Sequence, residues 1–296
     1  MQNIEKERYS WLKLAGILSL ILLLVLPNAF ADTGTLNLDN KEMIQLLKVG
    51  QVLSVVLFFI LPSLLFARYL TQSRIHYLGI TKAPALNTSL IAGIGMIMAL
   101  PLINALAQLN QHIHLPDALH GFEQWMKDSE EKNKLLTEAF MQGTDGSTLL
   151  INLFVIAFMA GLSEELFFRG MLQKVLIECF KNKHVGVWVG AIIFSAFHLQ
   201  FYGFIPRVLM GAYLGYLFVW SGSLWPGIIA HTMNNGLAVF ASWLVNKGTI
   251  QEDIETVGTN NVQELIYVFI STGMVVFSLI LVYRIEKRKR PEVPLI

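Results

Sequence analysis

Three short patterns in this chain combine residue types that move protons or hold an oxyanion. They are E-E-x-x-x-R at Glu164, Glu165 and Arg169, F-x-x-x-H at Phe194 and His198, and H-x-x-x-N at His231 and Asn235. A glutamate in a low-dielectric site can take a proton from water, and a neighbouring imidazole can orient that water and help to ionise it. A second imidazole with a carboxamide can then stabilise the oxyanion of a tetrahedral intermediate. Together these are parts for amide hydrolysis without a nucleophilic Ser or Cys. The same groups also suit zinc, with Glu164, His198 and His231 as three ligands and water as the fourth.

The surroundings make these residues conspicuous. Each lies in or beside an apolar run, where an ionisable side chain costs about 2.5–3.5 kcal/mol on membrane-insertion scales and so usually marks function or internal pairing. On a helix, Glu165 and Arg169 are i, i+4 and only about 40° apart, which suits a charge-assisted pair. Glu164 is turned about 100° away from Glu165 and is left available. His198 and His231 fall about 20 Å and about 15 Å from the expected cytoplasmic ends of their helices, inside the hydrocarbon thickness.

The elements that must position them are membrane helices. The 296 residues are 54% hydrophobic and 15% charged, with a mean hydropathy of +0.54, too apolar for an ordinary soluble domain. With about 20 apolar residues needed per crossing, eight spans are expected, near 11–30, 47–66, 90–109, 148–167, 186–203, 205–220, 223–245 and 264–283. The fold class is therefore all-α, a polytopic bundle of about eight transmembrane helices forming one membrane domain over 1–296. Pro206 and Pro226 fall near helix starts, where a missing N–H costs little. Gly186/Gly190 and Gly211/Gly215 have G-x-x-x-G spacing, read as close packing inside the bundle.

Lys and Arg gather in the N-terminal segment, in alternate loops and in the C-terminal run Lys287 to Arg290. By the positive-inside rule both termini are cytoplasmic, in what would be a bacterial inner membrane. Ala29-Phe30-Ala31 resembles a signal-peptidase site, an alternative fate for the first span that leaves the remaining topology intact. The segment 110–147 is the one long extracytoplasmic loop, and Phe122, Trp125, Met126, Leu135, Leu136, Ala139 and Phe140 recur in it at helical spacing, as for an interfacial amphipathic helix or helix pair. Its His112, His114 and His120, near Asp117, read as solvated loop histidines. The single cysteine, Cys179, excludes an internal disulfide and reads as an apolar filler. A net charge of +1 gives no sign of nucleic-acid binding.

The three patterns, in this order and on successive helices, resemble the motifs of the CPBP (Abi) family of membrane proteases, which includes the type II CAAX prenyl protease. The flanking EELFFRGMLQ, FSAFHLQFYGF and GAYLGYLFVWSGSLWPGIIAHTMNN are similar to a bacterial branch, and the resemblance covers about 147–246. It implies helices enclosing a polar cavity and a catalytic core over 147–246. Within that core Glu164 is the base that activates water with His198, Glu165 and Arg169 support the site, Phe194 packs against it, and His231 with Asn235 forms the oxyanion site. The implied partners are the lipid bilayer and a membrane-associated peptide or protein, prenylated or bacteriocin-like, with no cofactor favoured over a glutamate-activated water and zinc as the alternative. Neither H-E-x-x-H nor a rhomboid-like G-x-S-G occurs. The rival readings from other classes are a non-proteolytic scaffold or immunity partner and a proton-coupled transporter, the latter without any visible repeat between the halves.

Overall fold

The computed structural model describes residues 10–23, 38–70, 74–82, 86–113, 115–250, 257–259 and 264–289; the backbone alone is described at 74 and 75. The Ala29-Phe30-Ala31 pattern and His114 lie outside these residues. Among the described residues there are helices and no strand. Each of the eight expected apolar segments overlaps a helix, the first over 11–23, with 24–30 outside the described residues. In chain order these are α1 (Ser10–Leu23), α2 (Lys41–Leu70), α3 (Leu86–Met98) continued by α4 (Leu100–Gln111), α6 (Gly146–Phe180), α7 (Lys183–Phe197), α8 (Phe204–Ser221), α9 (Trp225–Asn246) and α10 (Leu265–Lys289). A further helix, α5 (His120–Met141), lies between α4 and α6. The protein is integral to a membrane: among the described residues five helices are long and apolar enough to cross, six if α3 and α4 count as one bent span.

Local signals explain the helix ends. The side chain of Asn40 accepts from the N–H groups of Glu42 and Met43 at the start of α2, Asp145 accepts from Thr148 N at 2.8 Å at the start of α6, and Asn182 accepts from His184 N and Val185 N before α7, each satisfying orphan donors of a first turn. Lys181, in the left-handed region, ends α6, and Gly222 does the same for α8.

Two expectations need correction, and one span has a bend that hydropathy does not report. The third span is not straight: Pro101 near the start of α4 accompanies a 45° bend from α3, because a proline inside a continuous helix would remove a backbone bond and clash with the preceding turn. The fourth span does not end near 167. It continues to Phe180 as a helix of 35 residues, which places Glu164, Glu165 and Arg169 near its middle, so Arg169 and Lys174 lie within the helix rather than in a connection after it. The fifth span is shorter than expected, since α7 has 15 residues and stops at Phe197. At 1.5 Å per residue it reaches about 22 Å, less than a hydrocarbon core, and His198 sits just past its end rather than deep within it.

The centre of the bundle is α6. From Glu165 to Gln173 every residue is buried and the backbone is of π type, as it also is over Leu153–Met159; such widened turns recur at functional sites. One apolar cluster joins α1, α2, α6 and α7 through Leu14, Ile17, Phe59, Phe167, Phe168 and Phe194. Another joins α3, α8, α9 and α10 through Ala92, Leu214, Leu217, Ala230 and Val282. The glycine pairs do pack inside: a Cβ on Gly211 would lie 3.1 Å from Ala191 Cα, and one on Gly186 would lie 2.4 Å from the Ile177 side chain.

Candidate active site

Helix α6 supplies two adjacent glutamates that point to different partners. Glu165 is fully buried. Its Oε1 accepts from Arg169 Nη1 at 2.7 Å, one turn along, as the spacing predicts, and from His231 Nδ1 of α9 at 3.0 Å. Arg169, 2% exposed, also donates from Nη2 to the Gly211 carbonyl of α8 at 3.1 Å. One turn further on, Gln173 Nε2 donates to the Gly215 carbonyl at 3.1 Å. Two side chains four residues apart on α6 thus grip two carbonyls four residues apart on α8. Because a buried charge costs much less when it is paired and hydrogen-bonded, this grip explains how a guanidinium sits at the centre of an apolar bundle.

Glu164 faces the other way, as the 100° rotation predicts. Its Oε2 is buried without a hydrogen bond, and two imidazoles flank it, His198 Nε2 at 3.7 Å and His231 Nε2 at 3.7 Å. Side-chain exposures of 16% at Glu164 and 25% at His198, against 3% at His231, show which side of this cluster can be reached. His198 Nδ1 lies 2.8 Å from the Phe194 carbonyl. A carbonyl only accepts, so Nδ1 carries the proton and Nε2 presents a lone pair toward Glu164 when the ring is neutral.

Phe194, 1% exposed, is the platform under these groups. The Arg169 guanidinium lies over its ring at 4.5 Å, and its edge-to-face neighbours are His198 at 4.9 Å and His231 at 6.0 Å. Packing was expected of this residue; the cation–π contact was not. Asn235 stands one turn beyond His231 on α9. Its Nδ2 donates to the Ile156 carbonyl of α6 at 3.3 Å, and its Oδ1 accepts from Asn234 at 3.2 Å.

Several site residues carried no motif signal. Gly227 is one: a Cβ there would stand 2.8 Å from Glu165 Oε2, so only glycine leaves room for that carboxylate. Gln173 had a signal in principle, since Glu165, Arg169 and Gln173 recur every four residues. Arg207 of α8 had none; it donates to Gln200, two residues past His198.

Glu164, His198 and His231 are the donor types zinc takes, and zinc holds them at about 2.0–2.2 Å. Among the described residues, however, no three His, Cys, Asp or Glu side chains are disposed to hold a metal ion. The residue types fit and the arrangement does not. His112 Nδ1 in the loop lies 2.7 Å from the Gln108 carbonyl.

The family model for type II CAAX prenyl endopeptidase Rce1-like proteins matches residues 146–237. An uncharacterised protein of Bacillus subtilis (strain 168), YpbD, is 32% identical over 83 residues, which is 27% of this chain and 38% of that protein. The chain therefore aligns with well under two thirds of that relative's length. No solved structure matches. The segment covered by the family model begins at the first residue of α6 and includes Glu164, Glu165, Arg169, Phe194, His198, His231 and Asn235. Over residues 146–237 the chain is thus similar to the Rce1-like CAAX protease family.

Proposed function

We propose that this protein is an intramembrane endopeptidase that hydrolyses a peptide bond of a membrane-associated peptide or protein, prenylated or bacteriocin-like, using water activated by Glu164 and His198. The observation that carries this reading is the Glu164 Oε2 atom, buried without a hydrogen bond and flanked by two imidazole nitrogens at 3.7 Å. Buried carboxylate oxygens are normally bonded, so an orphan of this kind calls for an explanation. A water 2.8 Å from each of two acceptors can bridge them up to about 5.6 Å apart, and Glu164 Oε2 and His198 Nε2 fall within that reach.

In this mechanism the water gives one hydrogen bond to Glu164 and one to His198 Nε2. As its oxygen attacks the scissile carbonyl carbon, the proton passes to Glu164 and the carbonyl oxygen becomes an oxyanion. His231, with Nδ1–H directed at Glu165, offers a donor to that oxyanion when it carries a second proton on Nε2. Asn235 offers the amide hydrogen not used on Ile156. When the C–N bond breaks, Glu164 returns its proton to the leaving nitrogen, giving a carboxylic acid and an amine. Glu165 and Arg169 take no part in the bond changes and hold His231 in place. The basic segments at the ends of the chain and in alternate loops support a bacterial inner membrane with both termini cytoplasmic.

The test is cleavage of membrane-anchored peptides, lipidated and unlipidated, by the purified protein in nanodiscs. Wild type should cut at one bond and His198→Ala should not. Equal cleavage by both would remove His198 from the mechanism, and no cleavage by wild type together with a cellular phenotype unchanged in His198→Ala would replace this reading with a non-proteolytic scaffold.

A further inference from the structure

His198 does not stand on a helix. It follows the last residue of α7, and Leu199 after it has a φ of +52°, a conformation that non-glycine residues hold only when their surroundings impose it. The connection from His198 to Phe204 is pinned at several points. Ser195 Oγ donates to the Phe204 carbonyl at 2.8 Å, and Asn110 of α4 donates to the Phe201 carbonyl. Nearest to the histidine, Arg207 closes a two-pronged clamp on Gln200, with Nη1 to its backbone carbonyl at 3.0 Å and Nη2 to its Oε1 at 2.7 Å. A planar guanidinium grips two oxygens in one plane in a way no other side chain reproduces. Its own backbone N–H donates to Gly203 at 3.1 Å, so the clamp is anchored in the first turn of α8. The same guanidinium interacts electrostatically with Glu164 in the site and with Glu130 of α5 outside it.

We infer that Arg207 is a positioning residue for His198: by holding Gln200 it fixes the left-handed turn that aims the imidazole at Glu164. This rests on the protease reading for its consequence, although the geometric link from Arg207 to His198 can be measured without any substrate. Arg207 makes its side-chain hydrogen bonds to Gln200 and to neither imidazole, and it is not itself a catalytic residue.

The experiment compares wild type, Arg207→Gln, Arg207→Lys and Gln200→Ala in nanodiscs. Gln200→Ala removes the side-chain prong of the clamp, leaves the backbone carbonyl in place and keeps the charge, which covers a failure of Arg207→Gln to fold. Nitrogen NMR of histidine-labelled protein, with the His198 signal assigned by its loss in His198→Ala, should show the Nδ1–H form in wild type. That signal should be shifted or broadened in Arg207→Gln and Gln200→Ala, and Lys should not restore it. Where wild type cleaves peptide, kcat should fall about tenfold or more in Arg207→Gln and by less in Gln200→Ala, with KM within about twofold, and the double variant should lose no more than Arg207→Gln alone. A His198 signal unchanged in both variants would overturn the inference, and so would losses that multiply in the double variant. A shifted signal in a protein that cleaves nothing would sustain the positioning role and count against the protease reading alone.

Discussion

Glu164 and Glu165 are neighbours on one helix, yet they sit in opposite kinds of surroundings. The half of the site built on Glu165 is closed. One oxygen takes both Arg169 and His231, and the other lies against the backbone of Gly227 with no polar group to bond. The half built on Glu164 is open at its side chain and edged by His198, which stands on a turn rather than a helix. A fixed half can hold a charge pattern, while a half whose side chain is partly exposed and whose buried Oε2 is unbonded can exchange protons. Substitutions should therefore separate the two, those at Glu164 affecting turnover first and those around Glu165 affecting the fold first.

The sharpest separation is expected from Glu164→Gln. It keeps shape and removes the base, so turnover should fall by at least about 100-fold, the lower range for loss of a general base. The melting temperature in detergent should stay within a few degrees of wild type. Substantial activity in this variant, measured on the same peptide as wild type, would remove Glu164 from the role of base.

Arg169→Ala should act on the closed half. Sequence alone suggests that it strands Glu165 as an unpaired charge. The structure softens this, because His231 still donates to Glu165 at 3.0 Å, while the Gly211 carbonyl loses its donor. Removing one member of a buried pair costs about 3–5 kcal/mol, and the retained imidazole bond argues for the lower end. The expected outcome is lower folded yield and a lower melting temperature together with lost activity. A variant as stable as wild type in thermal unfolding would show that the network is not what holds α6 against α8.

Two glycines on α9 refine the contrast. Gly227→Ala would drive a Cβ to 2.8 Å from a carboxylate already held by Arg169 and His231, so strain of about 1–3 kcal/mol and a displaced His231 should follow. Gly236→Ala meets its nearest neighbour, a Leu153 methyl, at 3.6 Å, ordinary contact. With better helix propensity it should be neutral or stabilising by up to about 1 kcal/mol. Unfolding and cleavage assays on the pair would sharpen the comparison, and equal behaviour of the two would blunt it.

What the sequence disclosed follows from the range of the interactions involved. Apolar runs and an i, i+4 charge pair are local, so the helices and the Glu165–Arg169 pair could be read directly. The order of three motifs carried the convergence of Glu164, His198 and His231. The Arg169 and Gln173 grip on Gly211 and Gly215 and the room left by Gly227 join segments far apart in the chain, and spacing along one helix does not say which groups of another it will meet; the Arg207 clamp spans only seven residues but depends on the shape of a turn that no motif marks. Helix ends inside the membrane were misjudged for a related reason. Hydropathy does not register that α7 stops at Phe197, because His198–Phe204 is itself largely apolar, nor that α6 runs on through charged residues held by Glu165 on the same helix and by groups on other segments.

The smallest effect is expected outside the bundle, where α5 meets the turn that carries His198. The amphipathic pattern in 110–147 does form one helix, and its Phe122 and Trp125 rings pack on Phe201 at 6.1 Å and 5.5 Å. Beside them Glu130 Oε2 accepts from Tyr202 N at 3.3 Å. Partial burial pushes the Glu130 carboxyl above its ordinary 4.5, only partly offset by the hydrogen bonds from Tyr202 and Phe201 and by Arg207. A carboxyl raised in the folded state binds more protons there than in the detached one, so it favours docking at low pH and that contribution is lost as pH rises through the raised value. Hydrogen-exchange protection of Phe201 and Tyr202 should accordingly rise, after correction for intrinsic exchange rates, as pH falls from neutral toward 4.5. In Glu130→Gln, which keeps an acceptor and cannot titrate, the corrected protection should be flat across the same window. A slope that persists in the glutamine variant would mean that another group controls how α5 sits on the His198 turn.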